Sequence, residues 1–377
     1  MGGCRASPAP TSLPDNDDIL LEILLRLPPL PSSLPRASLV CKRWRRLLSD
    51  PQFLRRFRAH HRKPPMLGFF FVDIDNDDGL IPVFTPTLAA PDRIPPARFS
   101  FPNRPRREGL FFRECRHGLA LLFNRRKFEA VVWDPVTGFR LNIAIPLEMQ
   151  RDDRHPFKCD MYNGAVMRNC CSGTFKVVTV LSNELYKLAW ACLYDSESGK
   201  WGNIISTAVP PFTSLAQPSV LVGNAVCWLL HNRGGGVLRF DTDKQSLDVI
   251  QMPEDIHVTD DSRVDLLRTA DGGLGIAIFW VLQKTIQLDK LISLTPLMET
   301  RPTAIVGFDE DNNVIFLWTA IGVFMIQLES MKFTTLPKDN WARGYYPFTS
   351  FYTTGWGIGG GDDRSEMLNN AQADFPV

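Results

Sequence analysis

The sequence predicts an α+β multidomain chain, in which a small three-helix module is followed by a much larger, mainly β domain. Two patterns in the 377 residues predict this division. Near the N-terminus, apolar residues recur at the spacing of helices that bury one face. From residue 67 to residue 354, short apolar, β-branched and aromatic runs alternate with turns rich in Gly, Asn, Asp and Pro. The length fits a module of about 40 residues and one domain of about 300 residues.

The first helix is expected to begin at Leu13-Pro14-Asp15, because an aspartate side chain can accept hydrogen bonds from the free amide groups of a first turn. Asp17 and Asp18 place further negative charge at the positive end of the helix dipole. Pro28 ends the helical pattern. The apolar positions that follow the helical period are Ile19, Leu20, Ile23, Leu24 and Leu27.

A second helix is predicted from about Pro35 to Asp50, since proline is tolerated in the first turn of a helix and is disruptive deeper inside it. Its apolar face comprises Leu39, Val40, Trp44, Leu47 and Leu48, and a short third helix carries Phe53, Leu54 and Phe57. A module of about 45 residues buries too little surface to be robust alone. Part of its apolar surface is therefore expected to bind another protein. The alternative is a helical cap that packs on the domain downstream.

Three short motifs occur here in a fixed order around the apolar helix: Leu13-Pro14, Val40-Cys41-Lys42-Arg43-Trp44 and Asp50-Pro51-Gln52-Phe53. They resemble the F-box, a helical module that binds the Skp adaptor of cullin–RING ubiquitin ligases. The segment before the second helix departs from the family, because it reads Ser-Ser-Leu-Pro-Arg where the family often has Lys-Ser-Leu-Leu-Arg. A helix that begins before Pro35 would put the affinity for the adaptor in doubt. By resemblance, the residues that pack within the F-box or against the adaptor are Leu13, Pro14, Ile23, Leu24, Leu27, Pro28, Val40, Cys41, Trp44 and Leu47.

The β domain repeats a unit that consists of a strand, an aspartate-led turn and a second strand. Asp134, Asp195 and Asp241 lead three such turns, and a degenerate copy runs through Gln327. The copies recur at intervals of about 40 to 60 residues, and one interval is roughly twice as long. A hidden copy is therefore expected between Trp280 and Asp289.

This period, with about four strands per unit, is typical of β-propeller blades, which pack face to face because one small sheet cannot bury both its apolar faces. Residues 64–354 are similar, over most of their length, to the F-box-associated, kelch-like propeller of a large plant F-box family. About six blades are expected, within a range of five to seven, and the unit at residues 275–289 looks short enough to be incomplete. A pair of β-sandwiches is the competing architecture.

Composition then sets the domain boundaries. Residues 1–12 and 355–377 are rich in Gly, Pro and polar residues and are expected to be disordered tails. Between them, an F-box at residues 13–58, a linker at residues 59–66 and the propeller at residues 67–354 are predicted.

The formal net charge of +1 gives no global indication of a nucleic-acid or membrane partner. Basic residues do cluster between Arg36 and Lys63, where Asp50 is the single acid, but such a cluster is more often a solvated face than a nucleic-acid site. No apolar run approaches the length of a membrane helix. The eight cysteines form no Cys-x-x-Cys pair, several lie in apolar strand patterns, and no Asn-x-Ser/Thr acceptor occurs. We therefore expect reduced thiols and a location in the cytoplasm or nucleus.

No catalytic, cofactor-binding or metal-binding residue is predicted. The sequence lacks a Gly-x-Ser-x-Gly elbow, a His-Glu-x-x-His motif and a phosphate-binding loop. The six histidines show no ligand spacing, and the acidic clusters, such as Asp309-Glu310-Asp311, lack the ligand series of a calcium loop. These acids are interpreted as turn residues.

The resemblance implies a non-catalytic substrate-recognition subunit of a Skp–cullin–F-box (SCF) ubiquitin ligase, with the Skp adaptor and an unknown target protein as partners. Two alternatives remain: an adaptor-binding scaffold outside ubiquitination, and a propeller enzyme with a helical appendage. A channel lined by several acids or histidines would favour the enzyme, and an apolar channel would exclude it.

Overall fold

The computed structural model divides the chain into two compact units, one of residues 1–60 together with the segment from residue 352, and one of residues 61–351. Both predicted tails lie outside the described residues. The structure describes residues 17–73, 82–101, 109–150, 161–169, 173–183, 187–210, 215, 217–230, 235–252, 263–269, 272–279, 304–319, 322–336 and 342–352.

The first unit is helical, but it has four helices where three were predicted: α1 (Asp17–Leu25), α2 (Ser33–Ser38), α3 (Lys42–Leu48) and α4 (Pro51–His61). The predicted second helix is split in two because Cys41 adopts an extended backbone, with φ −161° and ψ 169°. Its Sγ atom accepts a hydrogen bond of 3.5 Å from the backbone N–H of Trp44. Cys41 therefore acts as the N-cap of α3, a position that suits a residue outside helical geometry.

Helix α2 begins at Ser33, two residues before the predicted start at Pro35. Pro35 is nevertheless within the first turn, where a backbone N–H has no partner inside the helix. Its missing N–H therefore removes no helical hydrogen bond, and the earlier start leaves α2 intact.

Two ion pairs connect α1 to the later helices. The Arg43 guanidinium lies 2.7 Å from Asp17, and that of Arg56 lies 2.9 Å from Glu22. Both pairs are solvent-accessible, so each contributes less than about 1 kcal/mol. Apolar burial contributes more, and the buried apolar side chains of this unit are Leu20, Leu24, Leu25, Leu34, Ala37, Leu48, Phe53 and Phe57.

The second unit is built from antiparallel strands. In chain order these are β1 (Met66–Asp73), β2 (Pro82–Pro86), β3 (Leu110–Arg116), β4 (Leu119–Asn124), β5 (Glu129–Trp133), β6 (Arg140–Ala144), β7 (Met161–Arg168), β8 (Phe175–Asn183), β9 (Leu188–Asp195), β10 (Lys200–Trp201), β11 (Ile205–Ala208), β12 (Val220–Val222), β13 (Ala225–Leu229), β14 (Val237–Asp241), β15 (Ser246–Ile250), β16 (Arg263–Arg268), β17 (Leu274–Phe279), β18 (Ala304–Asp309), β19 (Val314–Thr319), β20 (Gly322–Gln327), β21 (Phe333–Thr335) and β22 (Ala342–Thr349).

These strands form a mainly β propeller. Blade 1 is β2-β1-β22, blade 2 is β3 to β6, blade 3 is β7 to β11, blade 4 is β12 to β15, and blade 5 is β18 to β21. Strands β16 and β17 form a separate two-stranded sheet. The described residues thus give five blades where about six were predicted. The two-stranded sheet stands where the sequence indicated a short unit, and the expected hidden copy at residues 280–289 lies outside the described residues.

The blades close into a ring through contacts between successive sheets. Strand β22 contacts both β3 and β18, and β16 contacts both β12 and β18. Because β22 pairs with β1, the last described strand completes the first blade. This pairing joins the two ends of the ring, and Phe70 of β1 strengthens the joint by packing against Phe112, Trp133 and Phe348.

The predicted aspartate-led turns are confirmed. In each, the Asp Oδ1 atom accepts the backbone N–H two residues on, as Asp134 does from Val136 and Asp195 does from Glu197. Asp241 and Asp309 make the same contact with Asp243 and Asp311. These short-range hydrogen bonds explain why the turns could be located from the sequence.

We predict that Asp134→Ala lowers the free energy of unfolding by about 2–3 kcal/mol, because it leaves the buried N–H of Val136 and the half-buried guanidinium of Arg168 without this acceptor. Its Oδ1 accepts from the N–H groups of Val136 and Thr137, and its Oδ2 accepts from Arg168 at 3.1 Å. Urea denaturation is the measurement. Asp195→Ala is the control, and its loss should be smaller, since its carboxylate is more exposed. Equal losses of stability in the two variants would contradict a larger contribution of the buried Asp134 carboxylate.

No helix among the described residues is long and apolar enough to cross a membrane. The cysteines described in both units, Cys41, Cys115, Cys192 and Cys227, are free thiols.

Candidate functional site

The helical unit exposes large apolar side chains in two places. Ile19 and Ile23 lie one turn apart on α1, on the side that faces away from the buried Leu20 and Leu24. Residues Leu39 and Val40, between α2 and α3, are 75% and 56% exposed. Side chains of this kind are normally buried, so their exposure marks a candidate surface for contact with another protein.

The structure separates the predicted adaptor-binding residues by burial. Leu24 has no exposed surface, so of the two roles left open for it, packing inside the unit is the one that its burial favours. Residues Leu13 and Pro14 lie outside the described residues. The remaining predicted positions are accessible: Ile23, Pro28, Val40 and Cys41 are exposed, and Leu27, Trp44 and Leu47 are half-buried.

Two exposed residues were absent from that prediction, Ile19 and Leu39. Both had been assigned to helical apolar faces, but the motif comparison did not select them. For Ile19 the signal was available, since a residue next to Leu20 points about 100° away from it around a helix. For Leu39 no such signal was present in the sequence, because the exposure of its side chain follows from the break between α2 and α3.

In the basic segment between Arg36 and Lys63, some side chains form ion pairs and others are exposed to solvent. Arg43 and Arg56 are engaged by Asp17 and Glu22. Four further basic side chains of α3 and α4 are solvent-exposed: Lys42, Arg45, Arg46 and Arg55. This surface can therefore contact a partner through apolar burial with positive charge at the edge.

A second polar site lies in the propeller, where inner strands of different blades converge. A small cavity of about 60 Å³, partly open to solvent, is lined by β3, the entry to β12, the end of β18 and β22. Its charged lining residues are Glu114, Arg116, His117, Asp309, Glu310 and Asp311. Aromatic residues and prolines form much of the remaining wall: Phe308, Tyr345, Tyr346, Pro218 and Pro347.

Arg116 is the centre of a hydrogen-bonded network in this cavity. One of its terminal nitrogens donates to Glu114 at 2.6 Å and to the Ser219 hydroxyl at 3.0 Å. The other donates to the Ser219 carbonyl at 2.9 Å and to Glu310 at 2.8 Å. The Ser219 hydroxyl in turn donates to the second oxygen of Glu114. The guanidinium is thus held on both sides.

Burial controls the ionisation of these groups. It raises the pKa of Glu114 to about 7, although Arg116 and the Ser219 hydroxyl both lower it. Burial also raises the pKa of Asp309 to about 6. The pKa of His117 is lowered, first by burial and then by Arg116. Its Nδ1 accepts a hydrogen bond from the backbone N–H of Arg168, which is compatible with a neutral imidazole.

This second site was not found from the sequence. Glu310 had been interpreted as a turn residue, and residues Glu114 and Arg116 were not singled out. A local signal existed, since a strand with an acid and a base at alternate positions places both on one face. Within the described part of the chain, no group of His, Cys, Asp and Glu side chains has the arrangement of a metal site.

Comparison with known proteins identifies the first unit. Residues 11–60 match the F-box-like family. An F-box protein of Arabidopsis thaliana is 25% identical over 274 residues, which is 68% of this chain and 60% of the relative. An F-box/kelch-repeat protein of the same plant is 27% identical over 198 residues, which is 49% of this chain and 48% of the relative. The chain therefore spans between about half and three-fifths of these relatives.

Similarity to solved structures is weaker. The Dos1 propeller is 12% identical with a TM-score of 0.33, over 60% of each chain. The WD40 domain of SCAP from fission yeast is 11% identical with a TM-score of 0.31, over 61% of this chain and 52% of that one. The propeller assignment accordingly rests on the strand pairing and ring contacts of this chain. The protein combines an N-terminal F-box-like domain with a C-terminal β-propeller and is a distant relative of the Arabidopsis F-box and F-box/kelch-repeat proteins.

Proposed function

We propose that this chain is a substrate-recognition subunit of an SCF-type E3 ubiquitin ligase. The F-box-like helices would bind the Skp adaptor, and the propeller would bind a target protein. The observation that supports this most is the exposure of Leu39 and Val40 within an F-box-like domain. Both are apolar. Val40 is one of the positions that the F-box resemblance assigned to packing within the F-box or against the adaptor, and Leu39 lies next to it.

Burial of these side chains can supply binding energy. Complete burial of a Leu, Ile or Val side chain contributes about 1.5–3 kcal/mol. The exposed pairs Ile19 with Ile23 and Leu39 with Val40 are 43–75% exposed, so burying the exposed part of them would contribute about 3–7 kcal/mol in total. This is comparable with the cost of association, so the two pairs would supply part of the binding energy and further contacts are required. Trp44 and Leu47 would extend that contact from α3, and Leu24 would support it from inside.

The proposed ligase role needs no chemistry from this chain. A receptor accelerates ubiquitin transfer by holding a target lysine near the charged conjugating enzyme, which raises its effective concentration. Loops of the propeller are the expected target-binding elements, since rigid scaffolds commonly carry binding residues on loops.

Reconstitution with purified components tests this proposal. The full-length chain is mixed with the Skp adaptor, a cullin–RING complex and a charged conjugating enzyme, and ubiquitin transfer onto the chain itself is followed on gels. We expect transfer that depends on the adaptor. Adaptor binding without any transfer would favour a scaffold outside ubiquitination, and absence of both would contradict the proposal.

A propeller enzyme is the second candidate, because the cavity is lined by acids and one histidine, as an active site would be. Against it, Glu114 and Glu310 are engaged by Arg116, and Asp309 by backbone N–H groups of its own turn. The hydrogen-bonded oxygens of these carboxylates therefore face donors of the protein itself and not a substrate. The non-catalytic role is therefore the better supported of the two.

A further inference from the structure

We propose that the Arg116 network is a proton-dependent latch, which holds distant sectors of the propeller ring together across its centre. The latch consists of Glu114 and Arg116 on β3, Ser219 at the entry to β12, and Glu310 at the end of β18. This inference does not depend on the proposed ligase function, because it concerns only the closure of the propeller.

Geometry is the first support. Glu114 and Arg116 belong to blade 2, Ser219 to blade 4 and Glu310 to blade 5, so one guanidinium connects three blades. Blades 2 and 4 are separated in the chain by blade 3, and their hydrogen-bonded residues Arg116 and Ser219 are 103 positions apart. Glu310 also accepts the backbone N–H of Leu221 at 3.1 Å, which ties blade 5 to blade 4 directly. Removal of the network would break all of these links.

The orientation of the network is the second support. The pairing of β3 with β4 shifts register between Phe112 and Glu114, which leaves Arg113 as an extra residue. Such a bulge changes the direction of the side chains that follow it. As a result Glu114 and Arg116 both reach the cavity. Both side chains are largely buried, at 4% and 9% exposed, so water screens their charges little.

The charge balance makes the latch sensitive to protons. Arg116 carries one positive charge and faces two carboxyl groups, Glu114 and Glu310. With both ionised, the buried network has one excess negative charge, and burial of an uncompensated charge is costly. Protonation of one carboxyl makes the network neutral. Burial favours Glu114 as the site of that proton, since the pKa of Glu114 is raised to about 7.

The sign of the effect follows. A carboxyl whose pKa is higher in the closed ring than in the open ring stabilises the closed ring below its usual pKa, and this stabilisation is lost as the pH rises through the raised value. The latch should therefore be tighter at pH 6 than at pH 8. The other titratable groups around it are Cys115, His117, Asp134, Asp309 and Asp311. Of these, Asp309 acts in the same direction and His117 in the opposite direction.

Hydrogen–deuterium exchange of the full-length protein at pH 6 and pH 8 tests the latch, after correction for intrinsic exchange rates. The readout is the protection of β12 and β18, and the helical unit is the internal control. For wild type, the ratio of protection at pH 6 to that at pH 8 should exceed the same ratio for Glu114→Gln by about tenfold. The contributions of His117 and Asp309 are common to both proteins and cancel. Equal ratios would overturn the proposal.

Two further variants keep the test decisive if Glu114→Gln does not fold. Ser219→Ala removes a hydrogen bond that lowers the pKa of Glu114, so the midpoint of the pH dependence should rise. Glu310→Gln removes a negative charge that raises this pKa, so the midpoint should fall. Opposite shifts support the latch, and unchanged midpoints in both variants would refute it.

Discussion

Replacement of Leu39 and Val40 by aspartate is expected to weaken binding of the Skp adaptor at least about 100-fold, with both units still folded. The two side chains are exposed, so the substitutions remove apolar contact surface and introduce charge without disturbing the core. Surface changes of this kind usually alter stability by less than about 0.5 kcal/mol. Binding is measured by isothermal titration calorimetry, and folding by circular dichroism.

Leu147→Asp is the matched control for this prediction. Leu147 is 78% exposed, close to the 75% of Leu39, but it lies in the propeller. The Leu147→Asp substitution should therefore leave adaptor binding unchanged. Leu24→Ala should also abolish binding, but through unfolding of the helical unit, since a buried leucine contributes about 2–5 kcal/mol. Normal affinity in a folded Leu39→Asp, Val40→Asp protein would show that this surface is not the interface.

Gly307→Ala is expected to destabilise the propeller by about 3 kcal/mol or more, because only a hydrogen atom fits at this position. A Cβ atom on Gly307 of β18 would lie 2.2 Å from the backbone oxygen of Tyr345 in β22. A backbone atom held by a strand cannot move aside as a flexible side chain can. Since β18 belongs to blade 5 and β22 to blade 1, the clash would force these two blades apart.

Urea denaturation of the full-length protein measures this loss, with Gly223→Ala for comparison. Gly223 has a φ of +58° but open space around its Cβ position, so alanine there should cost only about 1 kcal/mol of backbone strain. A Gly307→Ala protein as stable as the Gly223→Ala protein would contradict the close packing of β18 on β22.

Much of the fold could be predicted because its signals are local. The aspartate-led turns at Asp134, Asp195 and Asp241 depend on hydrogen bonds that span two residues. The helical module followed from apolar periodicity and proline positions. The break at Cys41 could not be predicted in this way, because a cysteine thiol is a weak and unusual N-cap. The number of blades could not be predicted correctly either, because the short unit at residues 275–289 has few strand signals in its sequence.

The two candidate sites differ in how far their residues could be predicted from the sequence. The exposed positions Ile23 and Val40 lie in a continuous motif, so resemblance was sufficient to select them. The latch could not be found, because Arg116 and Glu310 are 194 positions apart and meet only when the ring closes. Charge alternation on β3 gave no indication of the partner residue. Long-range polar contacts of this kind follow from topology, which local patterns do not encode.

Titration of the full-length protein with purified Skp adaptor tests the central claim most directly. We predict saturable binding of one adaptor per chain, which is lost in the Leu39→Asp, Val40→Asp protein and retained in Leu147→Asp. Absence of binding by the folded wild-type protein would contradict the account, as would equal affinities for all three proteins.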